Sequence, residues 1–149
     1  MLADTPFTTP TLTLRAGRME LALQDGRLVD IRCGGVEIWR TVMFLYRDPA
    51  WATPRHVVTT QSMDVREDGF ALRQAGSCPD LPSIRWSTDI EGFADGRICF
   101  SVEVDIHADL LTSRPGLCVL HAASVAGAAV EVEHVDGRIT RSRFPERIS

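Results

Sequence analysis

The chain has 149 residues, of which 44% are hydrophobic and 24% charged, with a formal net charge of -4. That length suffices for one domain with a real core, and the mildly acidic balance without a basic cluster excludes a nucleic-acid surface. All 16 cationic side chains are arginine, which excludes lysine-based covalent or base chemistry here and leaves arginine, acids and proline to guard sheet edges.

In chain order, residues 1–9 read as a loose lead-in. The first ten residues have neither a basic n-region nor an apolar stretch, so no signal peptide is expected. No run approaches the length of a membrane span. Leu12 and Leu14 alternate with Thr11, Thr13 and Arg15, predicting a short strand that stops near Ala16-Gly17. Met19, Leu21 and Leu23 repeat the pattern. Asp25-Gly26 turns the chain into Val29, Ile31 and Cys33, and Gly34-Gly35 turns it into residues 36–40. Residues 41–46 are apolar on both faces, and their β-branched and aromatic content predicts an interior strand rather than a turn of buried helix. Residues 47–54, punctuated by Pro49 and Pro54, read as an ordered loop. Val57, Thr59, Gln61, Met63 and Val65 form the next alternating set, and Asp68-Gly69 leads into Phe70, Leu72 and Gln74.

The clearest signal follows a polar crossing over residues 75–82. Ile84, Trp86, Thr88 and Ile90 alternate with polar residues, and so do Ile98, Phe100, Val102, Val104 and Ile106. The link between them ends in Asp95-Gly96, which tolerates the left-handed backbone of a tight reversal. An antiparallel hairpin with a one-sided apolar face is predicted, and that face demands a second sheet. Burial of the five inward side chains from Ile98 to Ile106 would contribute roughly 8–15 kcal/mol gross, mostly offset by chain ordering. A charge at Val102 is therefore expected to prevent folding. Residues 108–115 read as a connector, 116–121 as a short apolar strand and 122–129 as a loop of small residues. Residues 130–134 and 139–144 form a last hairpin around Asp136-Gly137. The whole is all-β: a single-domain antiparallel β-sandwich of about eleven short strands, with a mutarotase-like supersandwich as the alternative form.

Chemistry is harder to read. Cys33, Cys78, Cys99 and Cys118 lack any Cys-x-x-Cys spacing, which disfavours a zinc site or redox pair. Cys33, Cys99 and Cys118 fall inside strands, where reduced thiols act as small buried hydrophobes in a cytoplasmic protein. His56, His107 and His121 are scattered, so no metal site is expected, and no cofactor motif occurs. In the last hairpin, a three-residue loop with a glycine bulge sets Glu131 opposite Arg141 and places Val130, Val132, Thr140 and Ser142 on the other face. This register is favoured over a two-residue turn, which would seat arginines among valines. Glu131 and Glu133, about 7 Å apart on one face, sit beside His134 and Asp136. They form an acid/base candidate against the stronger reading of a solvated, ion-paired face. Tyr46 and Trp51, with Arg47 and Asp48, form a candidate sugar-stacking platform, against the reading of a core plug. No Gly-x-Ser-x-Gly elbow or phosphate loop occurs. No catalytic residue is assigned.

The runs Leu14-Arg15-Ala16-Gly17, Gly34-Gly35-Val36-Glu37 and Arg47-Asp48-Pro49-Ala50-Trp51-Ala52-Thr53-Pro54 resemble the amino-terminal region of the D-apionate lactonase family. So do Gly116-Leu117-Cys118-Val119-Leu120-His121, Val130-Glu131-Val132-Glu133-His134-Val135-Asp136-Gly137 and Phe144-Pro145-Glu146-Arg147-Ile148-Ser149. The resemblance implies a β-sandwich preceding a larger barrel domain, in an enzyme that opens a sugar-derived lactone in carbohydrate-acid catabolism. Active sites on barrel folds lie on the barrel. This chain stops where the family continues toward that barrel, so it is expected to be a non-catalytic accessory domain that docks to a carboxy-terminal barrel or self-associates through an exposed apolar patch. The residues Tyr46, Arg47, Asp48, Trp51, Glu131, Glu133, His134 and Asp136 are then ligand- or domain-facing candidates. A stand-alone sugar or sugar-acid binding module is the second expectation, and a self-sufficient mutarotase-related enzyme the third. Neither nucleic acid nor a membrane is expected as a partner.

Overall fold

The computed structural model describes residues 11–147, and the lead-in expected at residues 1–9 lies outside them. Its strands are β1 (Leu12–Ala16), β2 (Met19–Gln24), β3 (Arg27–Cys33), β4 (Val36–Arg47), β5 (Val57–Val65) and β6 (Phe70–Cys78). Then come β7 (Leu81–Gly92), β8 (Ile98–Ile106), β9 (Arg114–His121), a 3-10 turn (Ala123–Val125), β10 (Ala129–Glu133) and β11 (Ile139–Arg143). Strands β1, β2, β3, β4 and β9 make a five-stranded sheet in that order, β5 to β8 make a four-stranded sheet, and β10 pairs with β11 alone. All pairings are antiparallel. The sandwich expected from the alternating pattern is thus present, with the last hairpin standing outside both of its sheets.

The core forms where the inward rows of the two sheets meet. Leu14, Leu21, Leu28 and Ile31 of the first sheet pack with Phe70, Leu72 and Ile90 of the second. A second cluster gathers Tyr46, Cys78, Ile84 and Trp86. Each such side chain contributes about 1.5–3 kcal/mol gross on burial. Residues 36–40 and 41–46, read separately from the sequence, are one continuous strand of 12 residues. Strand β4 lies between β3 and β9, and Thr41, Val42, Leu45 and Tyr46 are all buried, so both faces are covered. The Thr41 hydroxyl is satisfied by donating to the Leu28 carbonyl at 2.8 Å.

The β7–β8 hairpin has the expected register, with Ile90 opposite Phe100, Thr88 opposite Val102 and Trp86 opposite Val104. Its turn closes through Phe93 N–H to Arg97 O and Gly96 N–H to Phe93 O, both 2.9 Å, with Gly96 at φ 90°. The burial is distributed otherwise than expected. Strand β7 buries its inward row, whereas β8 is an edge strand whose inward side chains are only half-covered and whose Ile106 is exposed. The core therefore centres on β6 and β7 rather than on Phe100. Val102 is half-buried, so a carboxylate there can turn toward water and the expected folding block moves inward to Ile90. Gly92, at the end of β7, has no room for a side chain: a Cβ would meet the Phe70 ring and lie 2.9 Å from the Ala16 Cβ.

A polar row crosses the second sheet. Gln74 is buried, its amide donates to Gln61 Oε1 at 2.9 Å, and it accepts from the Thr88 hydroxyl at 3.3 Å. The four cysteines are free. Cys78 is fully buried, and desolvation, followed by the charge of Asp80, raises its thiol pKa, which keeps it a protonated, inert filler. Cys33 and Cys118 are half-buried; Cys99, expected inside, is exposed because odd positions of β8 face outward.

Candidate functional site

The loop after β4 is built around Asp48. Its Oδ1 accepts the N–H groups of Ala50 and Ala52, both at 2.9 Å. Its own N–H donates to Ala52 O at 3.0 Å, and Trp51 N–H donates to Asp48 O at 2.9 Å. Arg47 Nη1 closes the loop on Trp51 O at 3.0 Å, while the Arg47 carbonyl accepts the Thr112 hydroxyl at 2.8 Å and the Ser113 N–H at 3.0 Å. So constrained, Trp51 takes φ 65°, a left-handed conformation that costs a non-glycine residue about 1 kcal/mol or more. Its indole is 59% exposed, with the Arg114 guanidinium 6.0 Å from the ring centroid. Tyr46 does not join it. That ring is 3% exposed in the core, its hydroxyl donating to Leu111 O at 2.8 Å. Of the predicted platform, Trp51, Arg47 and Asp48 stand together, Arg114 is added, and Tyr46 is a core residue.

The last hairpin takes the bulged register: Glu131 faces Arg141, Val130 faces Ser142 and Val132 faces Thr140. Glu131 and Arg141 form an exposed ion pair at 2.8 Å, His134 Nε2 hydrogen-bonds the Thr140 hydroxyl, and Asp136 Oδ1 caps the turn by accepting Arg138 N–H at 3.0 Å. Glu133 lies across from Ile139 on the same exposed ribbon. Glu131, His134 and Asp136 are spent on the hairpin itself. Around the hairpin's base, Phe144 packs on His121 with ring centroids 4.6 Å apart, beside an apolar hollow lined by Val119, Leu120, Val125 and Pro145.

A third arrangement joins segments far apart in sequence. A cleft of about 440 Å³ opens between the Asp25-Gly26-Arg27 turn, β4, residues 53–56 and β7. Phe44, His56 and Trp86 form its aromatic wall, with centroids 5.5 Å (Phe44–His56), 6.4 Å (Phe44–Trp86) and 6.3 Å (His56–Trp86) apart. His56 Nδ1 lies 2.9 Å from Pro54 O. A carbonyl can only accept, so the proton belongs on Nδ1 and Nε2 is left as an acceptor. Burial holds the His56 pKa below its ordinary 6.5, the Pro54 bond opposing this. Among the described residues, no group of three or more His, Cys, Asp or Glu is placed to hold a metal ion, and no helix is long and apolar enough to cross a membrane.

The family model described as D-apionate lactonase, N-terminal domain, matches residues 3–149. The chain belongs to this family. A D-apionate lactonase from Brucella anthropi is 33% identical over 135 residues, covering 89% of this chain and 22% of that relative. The chain thus spans 22% of the length of the curated relative it matches. No solved structure matches significantly.

For this chain, sequence reasoning finds the Asp48 loop and the hairpin because their residues are contiguous. It misses the cleft. Arg27, Phe44, His56 and Trp86 meet only through the stacking of two sheets, and the one local hint is a histidine bracketed by Pro54 and an apolar strand. The depressed His56 pKa has a testable sign. A folded value below the unfolded one gives a stabilisation that is complete above about pH 6.5 and lost as pH falls through that value toward the folded pKa. Between about pH 7.5 and about pH 5.5, the melting temperature of the wild type is expected to fall further than that of His56→Gln. Equal falls in differential scanning calorimetry would exclude it. Arg27, Arg47, Arg55 and Asp25 line the same cleft, so each stays unchanged in that comparison.

Proposed function

We propose that this chain is the accessory β-sandwich of a lactonase-type enzyme of carbohydrate metabolism, supporting and walling a larger catalytic portion without supplying the reacting groups. One observation carries the reading. Val119 and Leu117 of β9 pair with Val42 and Phe44 of β4 and therefore share the inward face, yet they are 43% and 46% exposed. An inward apolar row left half-uncovered by the described residues is a surface awaiting another body. The detached β10–β11 hairpin, with Val132, Val135 and Ile139 exposed, extends the same tendency. The chain's 22% share of its relative leaves ample polypeptide to cover it, and the family resemblance supports a carboxy-terminal barrel as that body. The four free cysteines support a reducing, cytoplasmic setting.

On this reading the 149-residue chain hydrolyses no aldonolactone, and deleting the matching region from the Brucella anthropi relative lowers the melting temperature of what remains. Lactone hydrolysis by this chain, lost in Glu133→Gln and kept in Arg141→Gln, would overturn it, as would an unaltered melting temperature after the deletion. The exposed Trp51 beside Arg114 favours a second reading, a sugar or sugar-acid binding ledge on the chain itself.

A further inference from the structure

The cleft beside Trp86 holds chemistry that no docking role uses. It is lined by Arg27, Arg47 and Arg55 against a single carboxylate, Asp25, in a chain whose formal net charge is -4. Arg27 stands 3.8 Å from Asp25 and Arg47 is engaged with Trp51 O. Arg55 forms no ion pair among the described residues. The cleft is thus locally cationic on an acidic protein.

An independent observation sits in the same place. Arg27 Nε, His56 Nε2 and Trp86 Nε1 are buried without a hydrogen-bond partner among the described residues, and all three residues line this cleft. Buried polar groups are almost always partnered, so three orphans on residues that line one concavity call for an explanation. The arginine and indole nitrogens can only donate. His56 Nε2 can accept, because its Nδ1 proton is committed to Pro54 O.

We infer that this cleft binds a small hydroxy-carboxylate, with the guanidinium groups and the Trp86 indole N–H donating to the carboxylate and His56 Nε2 accepting from the ligand's hydroxyl. The Phe44–His56–Trp86 wall offers an apolar face to the carbon skeleton, and about 440 Å³ is ample for such a ligand. The three nitrogens are shielded from water, so the rim must shift on binding. Residues 53–56 carry no regular structure and Arg55 is exposed, which makes this the segment able to do so. The depressed His56 pKa keeps the imidazole a neutral acceptor near pH 7.

The experiment titrates gluconate into the chain and follows the indole N–H signals of Trp39, Trp51 and Trp86 by nuclear magnetic resonance, Trp86→Phe identifying the third. The expected result is a saturable shift of the Trp86 signal, with Kd raised about ten-fold in Arg55→Gln and with acetate and glycerol each weaker than gluconate. Arg55 is exposed, so that variant keeps its fold and its spectrum shows it. The inference is overturned by an unmoved Trp86 signal, by an Arg55→Gln response equal to wild type, or by acetate or inorganic phosphate matching gluconate. A response lost in Trp51→Phe and kept in Arg55→Gln would place the ligand on the Trp51 ledge and equally overturn it.

Discussion

Ile90→Asp is expected to yield an unfolded chain, and Val102→Asp a folded one with a lowered melting temperature. Ile90 is fully buried, flanked in the sheet by Leu72 on β6 and Phe100 on β8, with Leu14, Leu21 and Leu28 of the opposite sheet in the same cluster. A carboxylate in that place is surrounded by apolar side chains. Leaving it ionised, or protonating it, costs several kcal/mol, against a total stability of about 5–15 kcal/mol for a domain. Val102 lies one strand outward on β8, half-covered, where aspartate can bend its carboxylate to water and the cost stays near 1–2 kcal/mol. Far-ultraviolet circular dichroism with urea melts separates the two. A cooperative transition for Ile90→Asp near the wild-type midpoint would mean that the sheets do not close over β7.

The second large effect concerns association. Alone in solution, the wild-type chain is expected to self-associate through the half-exposed inner row of β9, the second copy covering what the described residues leave open. Leu117→Glu/Val119→Glu is expected to be monomeric, its association weakened about a hundred-fold or more, the equivalent of roughly 3 kcal/mol. Two carboxylates on that row would have to lose water without gaining a cation. Because both positions are already 46% and 43% exposed, the monomer itself keeps its fold. Sedimentation velocity over a concentration series reads the outcome. A wild type that stays monomeric throughout, or a double variant that associates as strongly, would remove β9 from the docking face.

What the sequence discloses about this fold follows from where the information is local. The period-two rows of β7 and β8 reveal which side chains share a face, and the opposed charges of Glu131 and Arg141 select the hairpin register that the structure shows. Alternation is silent on whether a strand is central or marginal, which is why Phe100 and Val102 look like the centre of the core and lie at its rim. The doubly apolar run over residues 41–46 likewise hides the fate of Tyr46: with both faces covered, a ring near Trp51 in sequence can point either way, and it points in. For β10 and β11 the pattern specifies pairing with each other and nothing about attachment to the sandwich. The cleft lies furthest from view, since its arginines, histidine and indole are contributed by four separate segments.

The Gln61–Gln74–Thr88 row has a consequence for β5. That strand is exposed along nearly its whole length, so it has no set of oily side chains to tell one alignment with β6 from the next. The amide contact at 2.9 Å supplies what hydrophobic burial does not. Sliding β5 by a single residue would bring Ser62 against Gln74 in place of Gln61 and strand a buried amide, so this polar pair works as a key that admits one alignment and rejects its neighbours.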